Sequence, residues 1–374
     1  MIVILTAPHD AHLPAVAQHL QQHSVPFMVF DHAQFPGGAQ LALTCSVTGR
    51  LRHGLVVLGE QRRTLDMADI SAVWDRRPAL PVVDTQITDP ALRGYIQREC
   101  RYFLDDVWHT LPCFWVPGLP SLVQRASYKM TQLALAGRLG FEVPPTLVTN
   151  NPEEFLDFYR CHAGRIISKP FYGNTIYPSP GSTTDAWYVY THPVTVQDLG
   201  FAASLRFCPV IVQAYVPKHV ELRITVVGSD IFACEIHSQV THRTKHDWRN
   251  YDLAHTPHYV HELPPEIQDR CLRLVTALGL CYGAIDMILT PDGRYVFLEI
   301  NPNGQFGWIE NITGFPISAA IARLLATHEG APQPPREPGT YAHAIARNLA
   351  AHCPDGCRGN ISLPDHALAG GGGS

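Results

Sequence analysis

The sequence predicts a mixed α/β (α+β) protein of two or three domains, and three features carry that reading. An apolar strand, Ile2 to Leu5, opens the chain; a helical pattern (Leu13, Val16, Ala17, Leu20) and a second strand, Pro26 to Phe30, follow it. Ile96, Cys100, Phe103, Leu104 and Val107 recur with helical period, the apolar stripe of one long helix. Val220 to Val227 and Ile231 to Gln239 alternate as strands around Gly228-Ser229-Asp230, a hairpin signal. A chain of 374 residues is long enough to bury more than one core.

Composition removes some function classes. The net charge of −5 speaks against a basic field for nucleic acid. No run approaches the roughly eighteen apolar residues of a membrane span. Met1 to Thr6 is apolar but too short for a signal peptide and has no basic leader. A cytoplasmic protein with no nucleic-acid or membrane partner is therefore expected. The ten cysteines are scattered, as reduced, buried thiols would be. Cys353-Pro-Asp-Gly-Cys357 lacks two further metal ligands in a familiar spacing, and His237, His242 and His246 match neither a zincin helix nor a zinc finger. Gly370 to Ser374 reads as an engineered flexible linker.

In chain order, Leu41, Leu43, Cys45 and Val47 alternate as a half-buried strand, and Leu55 to Leu58 and Ile70 to Trp74 are further strands. Asp75-Arg76-Arg77-Pro78 then follows a strand end. Arg93, Arg98 and Arg101 lie off the stripe of the long helix, on a face suited to solvent or to an acidic partner. Cys113 to Pro120 closes this unit. Ser127 is placed to cap a helix whose buried face is Met130, Leu133, Ala134 and Gly137, with Lys129 in its first turn. A cation there opposes the helix dipole, which favours a bound anion. Gly140 ends the helix. Asn151 and Glu154 have capping-box spacing. Arg165 to Pro170 is a strand that ends on Lys169. The segments Phe171 to Ile176 and Pro180 to Thr184 form a Gly/Ser/Thr-containing loop, of a kind that covers phosphates or simply turns. Trp187 to Tyr190 and Val210 to Val216 are strands, and helices are expected over Glu266 to Leu278 and from about Phe315 to Ala326. From about residue 331 the chain is Pro-rich and weakly patterned.

One hairpin carries the chemistry. Ala284 to Ile288 is an apolar strand bearing Asp286, Thr290-Pro291-Asp292-Gly293 is a turn, and Val296 to Asn303 bears Glu299 and Asn301. Residues at i and i+2 share a face, so Glu299 and Asn301 point the same way and Asp286 can join them. Three oxygen donors suit Mg²⁺ shared with substrate phosphates; the same residues also suit a surface hairpin with solvated acids. Glu221 and Arg223 share a face of their strand, and an arginine facing a cleft suits a phosphate or a carboxylate.

In this order the two lysines, the strand into Gln213-Ala-Tyr-Val216, the acid–arginine strand and the Asp286…Glu299-x-Asn301 hairpin resemble the ATP-grasp superfamily, over roughly residues 120 to 328. Tyr282-Gly-Ala-Ile-Asp286-Met287 and Phe297-Leu-Glu299-Ile-Asn301-Pro-Asn-Gly-Gln-Phe-Gly-Trp308-Ile-Glu310 are similar to the peptide-modifying graspetide (microviridin-type) synthetases. So are Ala214-Tyr-Val-Pro-Lys-His-Val-Glu-Leu-Arg223, Glu235-Ile-His-Ser-Gln239 and His246-Asp-Trp-Arg249-Asn-Tyr-Asp252. Val73-Trp74-Asp75-Arg76-Arg77-Pro78 resembles the Trp-x-Arg-Arg-Pro of their pre-ATP-grasp domain, with Asp75 where tyrosine is common.

The resemblance implies an ATP-grasp fold in five parts. These are a pre-ATP-grasp α/β domain (1–120), a small lobe (121–216), a lobe with the Mg²⁺ site (217–330), a weakly patterned tail (331–369) and the linker (370–374). It implies that Lys129 and Lys169 neutralise ATP phosphates and that Gln213, Ala214, Tyr215 and Val216 lie beside adenine, with main-chain contacts from Ala214 and Val216. Glu221 would take the ribose hydroxyls, and Asp286, Glu299 and Asn301 the Mg²⁺. Arg223 would stabilise the transferring phosphoryl, and Arg249 would take the substrate carboxylate; a surface arginine in a loop is the other reading of Arg249. The implied partner is a ribosomal precursor peptide, a leader plus an acidic core, with the leader docking on the 217–262 region; the resemblance leaves room for a homodimer.

The implied reaction is ATP-driven activation of an Asp or Glu carboxylate as an acylphosphate, which a Ser/Thr hydroxyl or a Lys amine then displaces. Such chemistry needs cations where phosphoryl charge builds and needs no protein nucleophile. The alternatives are another carboxylate–amine ligase of the same fold, acting on a small acid or a protein C-terminus, and, from another class, a nucleotide-binding module or a kinase without ligation.

Overall fold

The strand Ile2 to Thr6 is buried along its whole length because it lies inside a parallel sheet. The computed structural model describes residues 1–49, 51–57, 63–171, 175–176, 186–250, 252 and 254–328. Expectations for Tyr172 to Asn174, Pro180 to Thr184, Cys353, Cys357 and residues 331–374 lie outside the described residues.

The first third runs β1 (Ile2–Thr6), α1 (Leu13–Gln22), β2 (Phe27–Phe30), β3 (Ala39–Cys45), β4 (Leu51–Val57), β5 (Arg63–Asp66), β6 (Ala72–Arg77), α2 (Pro90–His109) and β7 (Phe114–Val116). The parallel sheet has the order β2-β1-β6-β7. The expected stripe of α2 is its inner face, with Leu104, Val107 and Trp108 buried. Arg93 is anchored on the preceding loop, donating to the carbonyls of Asp84 and Ile87. The alternation of β3 stops early: Cys45 and Val47 are exposed. Asp75, Arg76 and Arg77 continue β6 rather than follow it, so successive side chains face opposite ways. Trp74 packs toward the C-terminal half of the chain, while burial pushes the Asp75 carboxyl up to about 6.

The middle runs α3 (Pro120–Ala126), α4 (Lys129–Arg138), β8 (Thr146–Thr149), α5 (Pro152–Cys161), β9 (Ile166–Lys169), β10 (Thr175–Ile176), β11 (Trp187–Tyr188), β12 (His192–Pro193), α6 (Val196–Leu199) and β13 (Val210–Ala214). The Pro-Gly stretch expected only to close the first unit starts α3. Ser127 ends α3 and donates to the Val123 carbonyl, so it does not cap α4; Tyr128 stands at that position without a side-chain cap. The inner face of α4 is Gln132, Leu133 and Ala136, and Met130 is exposed. Asn151 caps α5 as expected, but Glu154 accepts from the Thr149 hydroxyl instead of closing a capping box.

The last part runs β14 (Val220–Val227), β15 (Asp230–Ile236), β16 (His258–Val260), α7 (Pro265–Ala277), β17 (Tyr282–Leu289), β18 (Tyr295–Asn301), α8 (Gly307–Thr313) and α9 (Ile317–Thr327). Its antiparallel sheet has the order β16-β15-β14-β17-β18. Gly228 and Gly293 turn the two hairpins at φ +59° and +84°, a conformation that glycine takes without steric cost. Strict alternation would put Phe297 on the same face as Glu299. A bulge prevents this: Asp286 pairs with Glu299, Met287 pairs with Phe297, and Leu298 is the extra residue. Phe297 therefore enters the core while Glu299 joins Asp286. No helix among the described residues is long and apolar enough to cross a membrane.

Candidate active site

The central strand β14 sets the site. Arg223 is Cα-paired with Asp286 on β17, which is Cα-paired with Glu299 on β18. Arg223 Nη1 donates to both Asp286 carboxylate oxygens, at 3.0 and 2.8 Å, in a buried pair. Its Nη2 donates to the Gln305 carbonyl at 3.4 Å, and the Trp248 ring centroid lies 5.7 Å from its Cζ. Lys129 forms an ion pair with Glu299.

A residue that pattern reading missed ties the helix carrying that lysine to β18. Gln132, one turn on in α4, is buried. It accepts the Ile300 N–H at 3.1 Å and donates to the Ile300 carbonyl at 2.8 Å, serving the edge strand β18 as a neighbouring strand would. A glutamine on the apolar face of a helix was the available signal.

Arg249 belongs to the site. Asp247 holds it through Nε at 2.9 Å and Nη2 at 2.8 Å, and its Nη1 lies 3.6 Å from Glu299. Asp247 also accepts the Thr191 N–H at 3.0 Å, which ties its segment to the start of β12 in the antiparallel sheet of order β12-β9-β13-β8. The charges condition one another. Burial alone would push Glu299 up, but Lys129, Lys169 and Arg249 hold its carboxyl well below the usual carboxylate range. Burial lowers Lys169 to about 8, partly opposed by Glu299. Burial raises Asp286 although Arg223 faces it.

Two clefts meet at this cluster. Gln213, Ala214, Tyr215, Val216, Glu221 and Lys169 line the first, with Ile167, Ile288 and Leu298 as its apolar walls. The Gln213 amide is turned to the Thr146 hydroxyl at 2.9 Å. The N–H of Ala214 is bonded to the Pro145 carbonyl and that of Tyr215 to the Arg165 carbonyl. Glu221 accepts from Lys218 at 2.9 Å through Oε1, while Oε2 is buried without a hydrogen-bond partner. Lys218 and Asp247 lie inside stretches that the resemblance marked, but neither was given a role there. The second cleft is lined by Arg77, Lys129, Asn301, Tyr188, Tyr190 and Trp308, among others. Arg223, Arg249, Asp286 and Glu299 border it; Arg249, Asp286 and Glu299 line the first cleft as well.

Every expected site residue lies in or beside these clefts. Asn301 sits apart from the acid cluster in one respect: its Oδ1 accepts the Asn303 N–H at 3.0 Å. Among the described residues no three His, Cys, Asp or Glu side chains converge on a metal position. The available donors are two carboxylates and an amide. All are oxygens and adjoin lysine and arginine, a set that fits Mg²⁺ shared with a polyphosphate and fits a thiophilic metal poorly.

The two clefts, divided by carboxylates and cations on an antiparallel sheet, match what an ATP-dependent ligase of the ATP-grasp class requires, and the comparisons with known proteins show that class. The first 122 residues match the sequence family described as the MvdD pre-ATP-grasp domain. No curated protein matches the chain. Among solved structures it is similar to the macrocyclase MdnC of Microcystis aeruginosa MRC, bound with precursor peptide MdnA. The two share 35% identity over 87% of this chain and 99% of the other, with a TM-score of 0.76. It is also similar to a Chryseobacterium gregarium RiPP-associated ATP-grasp ligase solved with ADP, a leader and a core peptide (32%, 89% and 97%, TM-score 0.79). The macrocyclase MdnB of Microcystis aeruginosa MRC is 30% identical over 87% of this chain and 98% of its own, with a TM-score of 0.69. The chain belongs to this family, the graspetide-type ATP-grasp ligases of ribosomal peptide maturation.

Proposed function

We propose that the chain uses ATP to activate Asp or Glu side-chain carboxylates of a ribosomally made precursor peptide. It then joins them to Ser/Thr hydroxyls as esters or to Lys amines as amides, releasing ADP and phosphate. The observation that carries this reading is the shared wall of the two clefts. A nucleotide in the first places its γ-phosphoryl at Arg249, Asp286 and Glu299, where a carboxylate in the second can reach it. The adenine lies against Ile167, Ile288 and Leu298; the Ala214 carbonyl and the Val216 N–H serve its edge, since the neighbouring N–H groups are taken within the sheet. The orphaned Glu221 Oε2 accepts from the ribose, because a buried oxygen needs such a partner.

Lys129 and Lys169 meet the phosphates. Asp286, Glu299 and Asn301 would hold Mg²⁺, which would neutralise phosphate charge. Without nucleotide these acids and bases neutralise each other. With it, the cations turn to phosphate and the acids are freed for metal, so the charges are arranged before reaction. Arg223 faces the phosphoryl and Arg249 the incoming carboxylate. The carboxylate oxygen attacks phosphorus, ADP leaves, and the hydroxyl or amine displaces phosphate from the acyl carbon. Holding both reactants at one wall supplies proximity. The second cleft borders on four cations and two acids, Arg77, Lys129, Arg223 and Arg249 against Asp286 and Glu299, which suits an acidic peptide on a protein of net charge −5. A peptide substrate is also what MdnC and the Chryseobacterium ligase were solved with.

The test is mass spectrometry of a precursor co-expressed with the chain. The expected product is lighter by one water per bond, with one ADP released for each. Mild alkali should return the water to esters and leave amides intact. A gain of phosphate without loss of water would favour a kinase and overturn the ligation.

A further inference from the structure

The N-terminal sheet grips a loop of the metal site. Arg76 is buried and donates Nη1–H to the Asn303 carbonyl at 2.9 Å, a contact across 227 residues of sequence. Its Nε faces Asp10 Oδ2 at 3.6 Å. His12, just before α1, accepts the Phe306 N–H on Nε2 at 3.3 Å and packs its ring on Phe306, with centroids 4.7 Å apart. An accepting Nε2 assigns the tautomer: the proton sits on Nδ1 and is donated to Asp10 Oδ1 at 3.0 Å. Arg76 Nη2, 3.1 Å from the same Nδ1, is then a close contact rather than a donor.

The loop is held from the other side too. The Tyr282 hydroxyl donates to the Gly304 carbonyl at 2.7 Å, and Arg223 reaches the Gln305 carbonyl. A Cβ at Gly304 would lie 2.3 Å from the Ala284 Cβ, so the backbone there is seated against β17. The link to the metal side is short. Asn303, whose carbonyl Arg76 holds, donates its N–H to Asn301 Oδ1.

We propose that Asp10, His12 and Arg76 are positioning residues that fix residues 303–306, so that the Asn301 amide and Arg223 meet the Mg²⁺–nucleotide in one geometry. This rests on the reading of Asp286, Glu299 and Asn301 as metal ligands. It makes the N-terminal sheet part of the catalytic apparatus.

The test is calorimetric binding of AMPPNP to the full chain, with and without Mg²⁺, alongside the melting temperature of each variant. Wild type should bind more tightly with Mg²⁺. His12→Ala should raise the Mg²⁺ concentration for half-saturation about 10-fold, the low end for a direct partner of a metal ligand because His12 acts through the loop, and leave Mg²⁺-free affinity unchanged. His12→Gln, which keeps an acceptor, should reverse most of that shift. Arg76→Lys should behave like His12→Ala and carries the test should that variant not fold. An unchanged Mg²⁺ midpoint in the folded variants, or an equal loss with and without Mg²⁺, would overturn the proposal. A wild type whose AMPPNP affinity ignores Mg²⁺ would overturn the metal assignment itself, and the positioning role with it.

Discussion

Glu299→Gln is expected to lower ADP release with precursor by at least about 100-fold, the scale of losing one charge aimed at a transferring group. One carboxylate faces Lys129 in an ion pair, Arg249 at 3.6 Å and the electrostatic reach of Lys169. Glutamine keeps the shape and removes the charge. The cations are then free for phosphate, so nucleotide binding should persist while Mg²⁺-dependent turnover collapses. Stability should fall as well, by about 3 kcal/mol at neutral pH, because breaking a largely buried pair leaves its partners uncompensated. The sign of the pH dependence is fixed. Unfolded Glu299 titrates near 4.5 and folded Glu299 lower, so its stabilisation is complete above pH 4.5 and is lost as pH falls through the folded value. Denaturation of wild type and variant should therefore differ at pH 7 and converge in acid. Equal midpoints at pH 7, or turnover near wild type, would refute the role.

Arg223→Lys is expected to cost about 100-fold in kcat with a smaller change in the KM for ATP. One guanidinium meets both Asp286 oxygens through Nη1 and the Gln305 carbonyl through Nη2. A lysine can reach Asp286, but it has no planar fork to hold the loop carbonyl as well. Arg223→Ala should be worse for the fold, losing about 3–5 kcal/mol, since it strands a buried carboxylate. Burial already pushes Asp286 up against the pull of Arg223; without Arg223 it should move further up. Denaturant unfolding separates the two variants: Lys should stay near wild type and Ala should not. A kcat for Arg223→Lys within about 3-fold of wild type would remove Arg223 from the chemistry.

Much of this site is written in local patterns. Asp286, Glu299 and Arg223 stand out because charged groups on strongly apolar strands need a reason to be there, and a period of two assigns their faces. The bulge at Leu298 does not follow from that period, and without it Phe297 would sit among the acids. Gln132 acts on the backbone of Ile300, far along the chain, which no spacing encodes; Asp247 and Lys218 pair with the nearby Arg249 and Glu221, but nothing in those short spacings says that the pairs are buried at the site. The cap of α4 and the capping box of α5 differed because Ser127 donates back to the Val123 carbonyl and Glu154 accepts from the Thr149 hydroxyl, both upstream of the helix start. Arg76 reads as a motif arginine, but its partner Asn303 becomes visible only when the N-terminal sheet and the loop after β18 meet.

The central claim is that a peptide carboxylate attacks the γ-phosphorus at the wall between the clefts. Precursor carrying ¹⁸O in its Asp and Glu side chains tests it directly. After ligation, the phosphate released with ADP should contain one ¹⁸O for each bond formed. Unlabelled phosphate, or label recovered in AMP, would contradict it.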